Sequence, residues 1–169
     1  MRKIVFTGPE SSGKTTISQA IAKKYNLPIV EEYARKYLTA LNREYIYDDL
    51  IEIAKGQLRL EQKKSQNKII ICDTNLQVLK IWSQIKYNRC DSFILDNQDP
   101  NCFYVLCTPD FKWAYDPLRE NKNNRDQLFK KYHEDLLNNK YDFKVIKGSH
   151  QKRIKSVSHL VEKIMSLSF

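Results

Sequence analysis

The sequence predicts an α/β fold in which five parallel strands form one sheet with helices on both faces. Two observations carry that reading. Five short apolar runs, at 3–7, 27–30, 68–73, 103–107 and 143–146, alternate with segments of helical periodicity, the order that places crossover helices between parallel strands. Between the first run and the first helical segment stands Gly8-Pro9-Glu10-Ser11-Ser12-Gly13-Lys14-Thr15, followed by Thr16. This is a G-x-x-x-x-G-K-T loop in the strand–loop–helix context that its phosphate chemistry needs, which makes the expected fold a P-loop NTPase.

Each element follows in order. Lys3-Ile4-Val5-Phe6-Thr7 suits a buried strand. Ile17, Ala20, Ile21 and Lys24 keep the spacing of one helix face, with Tyr25 beside them. Leu27-Pro28-Ile29-Val30 is a second strand, ending in Glu31-Glu32-Tyr33-Ala34-Arg35. Residues 48–64 read as a helix with Asp48 or Asp49 at its start, where an acid suits the dipole. Its stripe begins apolar at Leu50, Ile53 and Ala54, then turns polar through Gln57 and Glu61, which puts that end beside a cleft. Lys68-Ile69-Ile70-Ile71-Cys72-Asp73 is an apolar run closing on an acid, and a helix with Val78, Ile81, Trp82 and Ile85 on one face follows. Residues 88–101, rich in Asn and Asp, form a loop or partly helical excursion before the strand at 103–107, which Thr108-Pro109-Asp110 breaks. Residues 116–127 are dense in Arg, Asn and Asp and nearly empty of apolar side chains, the composition of a mobile lid. A helix at 128–137, a fifth strand at 143–146, and a closing helix with Val157, Leu160, Val161 and Ile164 on one face complete the chain. With no internal repeat and no dividing linker, residues 1–169 are expected to form one domain.

Composition narrows the class. A hydrophobic fraction of 41% with 29% charged residues is that of an ordinary globular chain. Cys72, Cys90, Cys102 and Cys107 form no C-x-x-C pair, so reduced structural thiols and a cytoplasmic setting are expected. Met1-Arg2-Lys3 runs straight into the first strand without a signal peptide, and no apolar stretch has the length of a membrane span. The net charge of +9 is spread along the chain without the aromatic–basic signature of an RNA or DNA module. A positive field of this kind suits polyphosphates, and nucleic acid is not expected as a partner. The oligomeric state is left open.

In a parallel sheet, ligands gather where the strands end. The loop itself, residues 8–16, would cradle the phosphates of ATP with successive N–H groups, aided by the helix dipole. Lys14 would reach the β and γ phosphates, and Thr15 would ligate Mg²⁺. Asp73 at the third strand end is placed to hold Mg²⁺ opposite Thr15, and either Asp73 or Thr74 also suits a helix N-cap. Glu32 and Arg35 stand three apart, so a carboxylate and a guanidinium can act on one ligand. Glu32 or Asp73 is the expected base. Arg119 and Arg125 in the lid would stabilise the transferring phosphoryl group and exclude water. Gln57 is a candidate substrate contact, and Trp113 a stacking surface for a flat ring. His133, His150 and His159 are isolated and receive no role.

The motifs G-P-E-S-S-G-K-T, E-E-Y-A-R, I-A-K-G-Q, I-C-D-T and W-x-x-D-x-L-R, in this order over residues 3 to about 130, resemble the ribosylnicotinamide kinase domain of NadR-type NAD-salvage proteins. The resemblance implies a nucleoside-kinase-like P-loop fold that moves the γ-phosphate of ATP to the 5′-hydroxyl of nicotinamide riboside. It implies that Gly8 to Thr15 bind ATP. It also implies that Glu32, Tyr33, Arg35 and Asp73 lie in the substrate and Mg²⁺ region, and that Trp113, Asp116 and Arg119 lead into the lid. The nucleotidyltransferase domain and histidine signature of the bifunctional members are absent, so adenylylation and repression are not expected. Two other readings stay open: a kinase of another nucleoside, nucleotide or vitamin alcohol such as thiamine, and a slowly hydrolysing NTP-binding regulator. A monophosphate acceptor would call for several arginines at the base of its pocket.

Overall fold

The computed structural model describes residues 1–166. Five parallel strands, β1 (Arg2–Thr7), β2 (Ile29–Val30), β3 (Ile69–Asp73), β4 (Phe103–Cys107) and β5 (Asp142–Ile146), form a sheet in the order β2-β3-β1-β4-β5. Seven helices are found among the described residues: α1 (Lys14–Tyr25), α2 (Tyr33–Ala40), α3 (Tyr47–Gln62), α4 (Leu76–Tyr87), α5 (Ser92–Asp96), α6 (Arg125–Asn138) and α7 (His150–Ser166).

The period-two alternation of the strands explains why both faces are covered. Ile4, Phe6, Ile69, Ile71, Val105 and Cys107 point to one side, where they meet Ile17 and Ile21 of α1 and Val157, Val161 and Ile164 of α7. Val5, Ile70, Cys72, Tyr104 and Leu106 point to the other, against Ile81 of α4 and Leu128, Tyr132 and Leu136 of α6. A third apolar cluster joins α2, α3, α4 and α5 through Ala34, Leu50, Ile53, Leu76, Leu79 and Ile94. It forms the wall beside which the polar end of β3 opens.

Several boundaries differ from the sequence reading. The two-turn helix α2 falls where only a strand end was expected; its apolar face of Tyr33, Ala34, Tyr37 and Leu38 is only two turns long, too short to stand out as a helical period. Helix α6 starts at Arg125, so residues 125–127 belong to its first turn and not to the lid. The cap of α4 is Asn75, whose side chain accepts from the Gln77 N–H, which leaves neither Asp73 nor Thr74 in that role. Glu61 does not reach a cleft. It pairs with Lys3 at 2.6 Å, beside Asp99 at 3.0 Å from the same ammonium, at the end of β1 opposite the glycine loop. Burial works against the Lys3 charge, but the Glu61 and Asp99 carboxylates outweigh it and raise the Lys3 pKa.

One glycine sets how closely two helices approach. A Cβ on Gly56 of α3 would stand 2.0 Å from the Tyr33 ring of α2. Helix propensity alone would favour alanine there by about 1 kcal/mol. Overpacking costs about 1–3 kcal/mol, and a 2.0 Å contact with a ring is severe, so the clash wins. Gly56→Ala is expected to shift the urea midpoint downward without altering the slope. An unchanged or raised midpoint would show that Tyr33 simply turns aside.

Candidate active site

The glycine loop leaves β1 with Gly8 at φ 126°, Ser11 at 53° and Gly13 at 82°. Such alternating left-handed positions are the backbone form in which successive N–H groups can converge on one anion. They also bring backbone so close that a Cβ on Gly8 would lie 2.6 Å from the Cys107 carbonyl oxygen. At Gly13 a Cβ would lie 2.8 Å from the Phe111 ring. Helix α1 begins at Lys14, directly after the loop, so its positive end faces the same space. The Lys14 ammonium donates to the carbonyls of Gly8 (2.9 Å) and Pro9 (2.8 Å), where it closes the cradle with its own charge.

Asp73 is nearly buried at the end of β3, and its Oδ1 has no hydrogen-bond partner among the described residues. Burial raises its pKa, while the Thr15 hydroxyl and the Lys14 and Arg35 charges oppose the rise. An orphaned carboxylate oxygen beside a threonine hydroxyl fits a hard cation that takes its other ligands from phosphate and water. No group of three or more His, Cys, Asp and Glu side chains able to hold a metal alone occurs among the described residues. Thr15 and Asp73 together offer a hydroxyl and a carboxylate oxygen to such a cation.

A narrow cavity of about 10 Å³, room for about one water molecule, lies beside this point, lined by Glu32, Ala34, Ile53, Gln57, Thr74, Asn75, Val78, Leu79 and Trp82. Glu32 precedes the first turn of α2, and burial raises its pKa above that of a free glutamate. Lys14 and Arg35 pull the other way, while Asp73 and Asp116 add to the rise. Gln57 is 3% exposed; its Oε1 accepts from the Tyr33 N–H at 2.9 Å, and its Nε2 has no partner among the described residues. A donor left unmet in such a place is costly unless a ligand accepts from it. No lysine or arginine lines the pocket.

The remaining candidates fall into two groups. Tyr33 lies with its ring against Gly56, so it sets the α2–α3 packing. Arg35 pairs with Asp116 at 2.9 Å, tying α2 to the segment that follows β4, and makes no pair with Glu32. Arg119 donates to the Ala114 carbonyl at 2.6 Å, and Arg125 to the Phe111 carbonyl at 2.8 Å. Both guanidiniums thus brace the 111–114 stretch instead of contacting the loop. Trp113 lies at the loop, its indole N–H donating to Glu10 at 3.0 Å.

Two residues at the site went unrecognised in the sequence. Arg153 of α7 is fully buried and donates to the carbonyls of Gly148 (2.8 Å), Ser12 (2.8 Å) and Thr108 (3.1 Å), to the Thr108 hydroxyl (3.0 Å) and to Asp110 (2.9 Å). It fixes the back of the phosphate loop and uses up Asp110, the acid at the fourth strand end. The signal was present: Arg153 lies on the apolar stripe of Val157, Val161 and Ile164, where a charge calls for partners. His150 is not isolated either; its ring stacks on Phe111 at 4.2 Å beside Gly13.

Comparison with known proteins agrees with this architecture. A profile of the family described as AAA domain matches residues 3–153. A cytidylate kinase of Desulfurococcus amylolyticus is 35% identical over 80 residues, which cover 42% of this chain and 43% of that protein. Among solved structures, deoxyadenosine kinase from M. mycoides, with dCMP and dCDP bound, superposes with TM-score 0.70 at 17% identity, covering 95% of this chain and 99% of that one. The NadR protein in complex with NR gives TM-score 0.71 at 19% identity, covering 88% of this chain and 46% of that one. This chain thus spans less than half the length of either the curated relative or the NadR chain. The structural likenesses show a nucleoside- and nucleotide-kinase-like P-loop fold. No described helix is long and apolar enough to cross a membrane.

Proposed function

The chain belongs to the AAA-domain family, matched over residues 3–153, and from that premise we propose that residues 1–169 form a kinase domain that phosphorylates an unphosphorylated alcohol with ATP. Nicotinamide riboside, attacked through its 5′-hydroxyl to give nicotinamide mononucleotide, is the acceptor we put first. The observation that carries the reading is the lining of the pocket beside the phosphate loop: one carboxylate, Glu32, an unmet amide donor on Gln57, and no basic side chain. A monophosphate acceptor would bring two negative charges against Glu32 with no basic side chain in the lining to meet them, Lys14 and Arg35 acting on Glu32 from outside it. A nucleoside brings hydroxyls for the carboxylate and a carbonyl for the amide.

In this reading the loop N–H groups and Lys14 bind the ATP phosphates, with Lys14 exchanging the Gly8 and Pro9 carbonyls for phosphate oxygens. Mg²⁺ held by Thr15 and Asp73 supplies charge neutralisation to the phosphate oxygens. Glu32 accepts the proton of the attacking hydroxyl, and Gln57 orients the acceptor. Assigning Asp73 to the cation and Glu32 to the proton follows from their surroundings, Asp73 beside Thr15 and Glu32 on the pocket wall.

Because burial raises the Glu32 pKa, the acid limb of kcat/KM is expected above the ordinary glutamate value of about 4.3. The rate rises with pH as Glu32 loses its proton. Glu32→Gln is expected to lower kcat by about 10²–10⁴ and to abolish that limb, while Glu32→Asp keeps a limb at reduced rate. A pH–rate profile in which Glu32→Gln retains the limb would transfer the base role elsewhere.

The reading is tested by ADP release from Mg-ATP with nicotinamide riboside, thiamine, cytidine, deoxyadenosine and cytidine monophosphate as separate acceptors, with the product identified by mass. Stimulation by nicotinamide riboside supports the proposal. Stimulation by another nucleoside or by thiamine keeps the kinase and replaces the acceptor, and stimulation only by the monophosphate overturns the argument from the pocket lining. Bound ATP with no stimulation by any acceptor overturns the kinase reading in favour of a regulatory NTPase.

A further inference from the structure

Glu10 occupies the second variable position of the phosphate loop, yet its carboxylate points away from the cradle to the segment that follows β4. Oε2 accepts from the Trp113 indole N–H at 3.0 Å. Oε1 accepts from the backbone N–H groups of Glu120 (3.1 Å) and Asn121 (2.8 Å) and from the Asn121 side-chain amide (3.1 Å). The next loop residue, Ser11, accepts from the Ala114 N–H through its hydroxyl at 3.2 Å. Every donor on Glu10 comes from residues 113–121, more than a hundred positions away in sequence. The stretch carries no helix or strand of its own to hold it.

The other ties of the same stretch are weaker by position. Arg35–Asp116 has a half-exposed guanidinium, and Tyr45 and Lys86 reach Glu120 in the open. Exposed pairs of this kind contribute little. An ionised acceptor with four donors in a partly buried place is the stronger fastening.

We propose that Glu10 is the positioning residue that seats the lid, residues 113–121, on the phosphate loop, and that this seating keeps water from the transferring phosphoryl group. The second half rests on the kinase reading above; the first half does not. Because the carboxylate belongs to the loop that wraps the phosphates, the lid is registered to the donor nucleotide directly and not through the body of the fold.

The test compares Glu10→Ala, Glu10→Gln and Trp113→Phe with the unaltered chain by limited trypsin digestion followed by mass spectrometry, and by the ratio of free phosphate to phosphorylated acceptor under turnover. Lys112, Arg119 and Lys122 lie in or beside the lid; Lys130 and Lys131 in α6 serve as the internal control. Loss of several charge-assisted hydrogen bonds is expected to speed cleavage at the three lid sites in Glu10→Ala by about tenfold or more. Cleavage at Lys130 and Lys131 stays unchanged. Glu10→Gln, which turns an amide donor toward another donor at Trp113, is expected to fall between. Trp113→Phe is expected to add nothing once Glu10 is alanine. Free phosphate per phosphorylated acceptor is expected to rise at least several-fold in Glu10→Ala. Lid cleavage that stays slow in Glu10→Ala, or that rises together with cleavage in α6, overturns the proposal. Fast lid cleavage with an unchanged phosphate ratio overturns the role in water exclusion. Failure of every acceptor with the unaltered chain would strike the kinase reading, while the trypsin pattern would still decide whether Glu10 seats the lid.

Discussion

Lys14→Ala is expected to lower phosphoryl transfer by about 10³-fold or more, the scale seen when a preorganised charge is removed from a developing anion, while the thermal midpoint stays nearly constant. The Lys14 ammonium is held by the Gly8 and Pro9 carbonyls and by no other described hydrogen bond. Those carbonyls face the cradle. Without the ammonium they present negative ends to the phosphates, so the substitution removes an attraction and exposes a repulsion. Stability suffers little, because the loop's turns are set by Gly8 and Gly13 and its back is held by Arg153. Lys14→Arg is not expected to rescue, since a flat guanidinium cannot occupy a place shaped for a compact ammonium. Single-turnover transfer and a thermal melt on the same preparation check the result. A loss of melting temperature in proportion to activity would mean that Lys14 is chiefly structural.

Arg153→Met is expected to be the most destabilising substitution at the site, by about 3–5 kcal/mol, because it leaves the partners of a buried charge unmet. For a chain of this size that is roughly a 10 °C fall in melting temperature. Its guanidinium satisfies three backbone carbonyls, a hydroxyl and a carboxylate, and lies 4.6 Å from the centre of the Phe111 ring. Asp110 adds a pH dependence: its pKa is held below the ordinary aspartate value, with the Gly148 N–H, Thr108 and Arg153 together outweighing burial. The lowered value means that this contribution to stability is present above the unfolded-state pKa of about 3.9. It is lost as the pH falls through the folded-state value. Arg153→Met should remove the Arg153 share of that acid sensitivity. Melting curves between neutral pH and pH 3 measure both effects. Arg153→Lys is expected to recover only part of the stability, because an ammonium has three donors for five acceptor groups.

The glycine loop, the five strands and the positions of Glu32 and Asp73 were legible in the sequence because each is written in a short continuous run. Gln57 and Glu61 show the limit of that approach. Both were read from polar groups continuing an apolar stripe. Gln57 does line the pocket, whereas Glu61, one turn further along α3, has passed the sheet and meets Lys3 at its far end. A stripe gives the face of a helix but not how far along the sheet each turn lies. Arg153 obeys the same stripe rule and was overlooked, since its partners are scattered between positions 12 and 148. The bracing of Arg119 and Arg125 against backbone carbonyls was hidden for a related reason: composition marks a lid but not which acceptors its cations meet.

The bond from Arg153 to the Ser12 carbonyl joins positions 141 residues apart, and this bears on the order of events at the ribosome. The last residue of the loop, Thr15, and the residue that fixes its back, Arg153, are separated by about 138 positions of synthesis. At about 5–20 residues per second, synthesis separates the two by roughly 7–28 seconds. During that interval the nascent chain carries a phosphate-binding sequence without its finished shape. A chain truncated before α7 is thus expected to carry the motif without the contacts that hold its back.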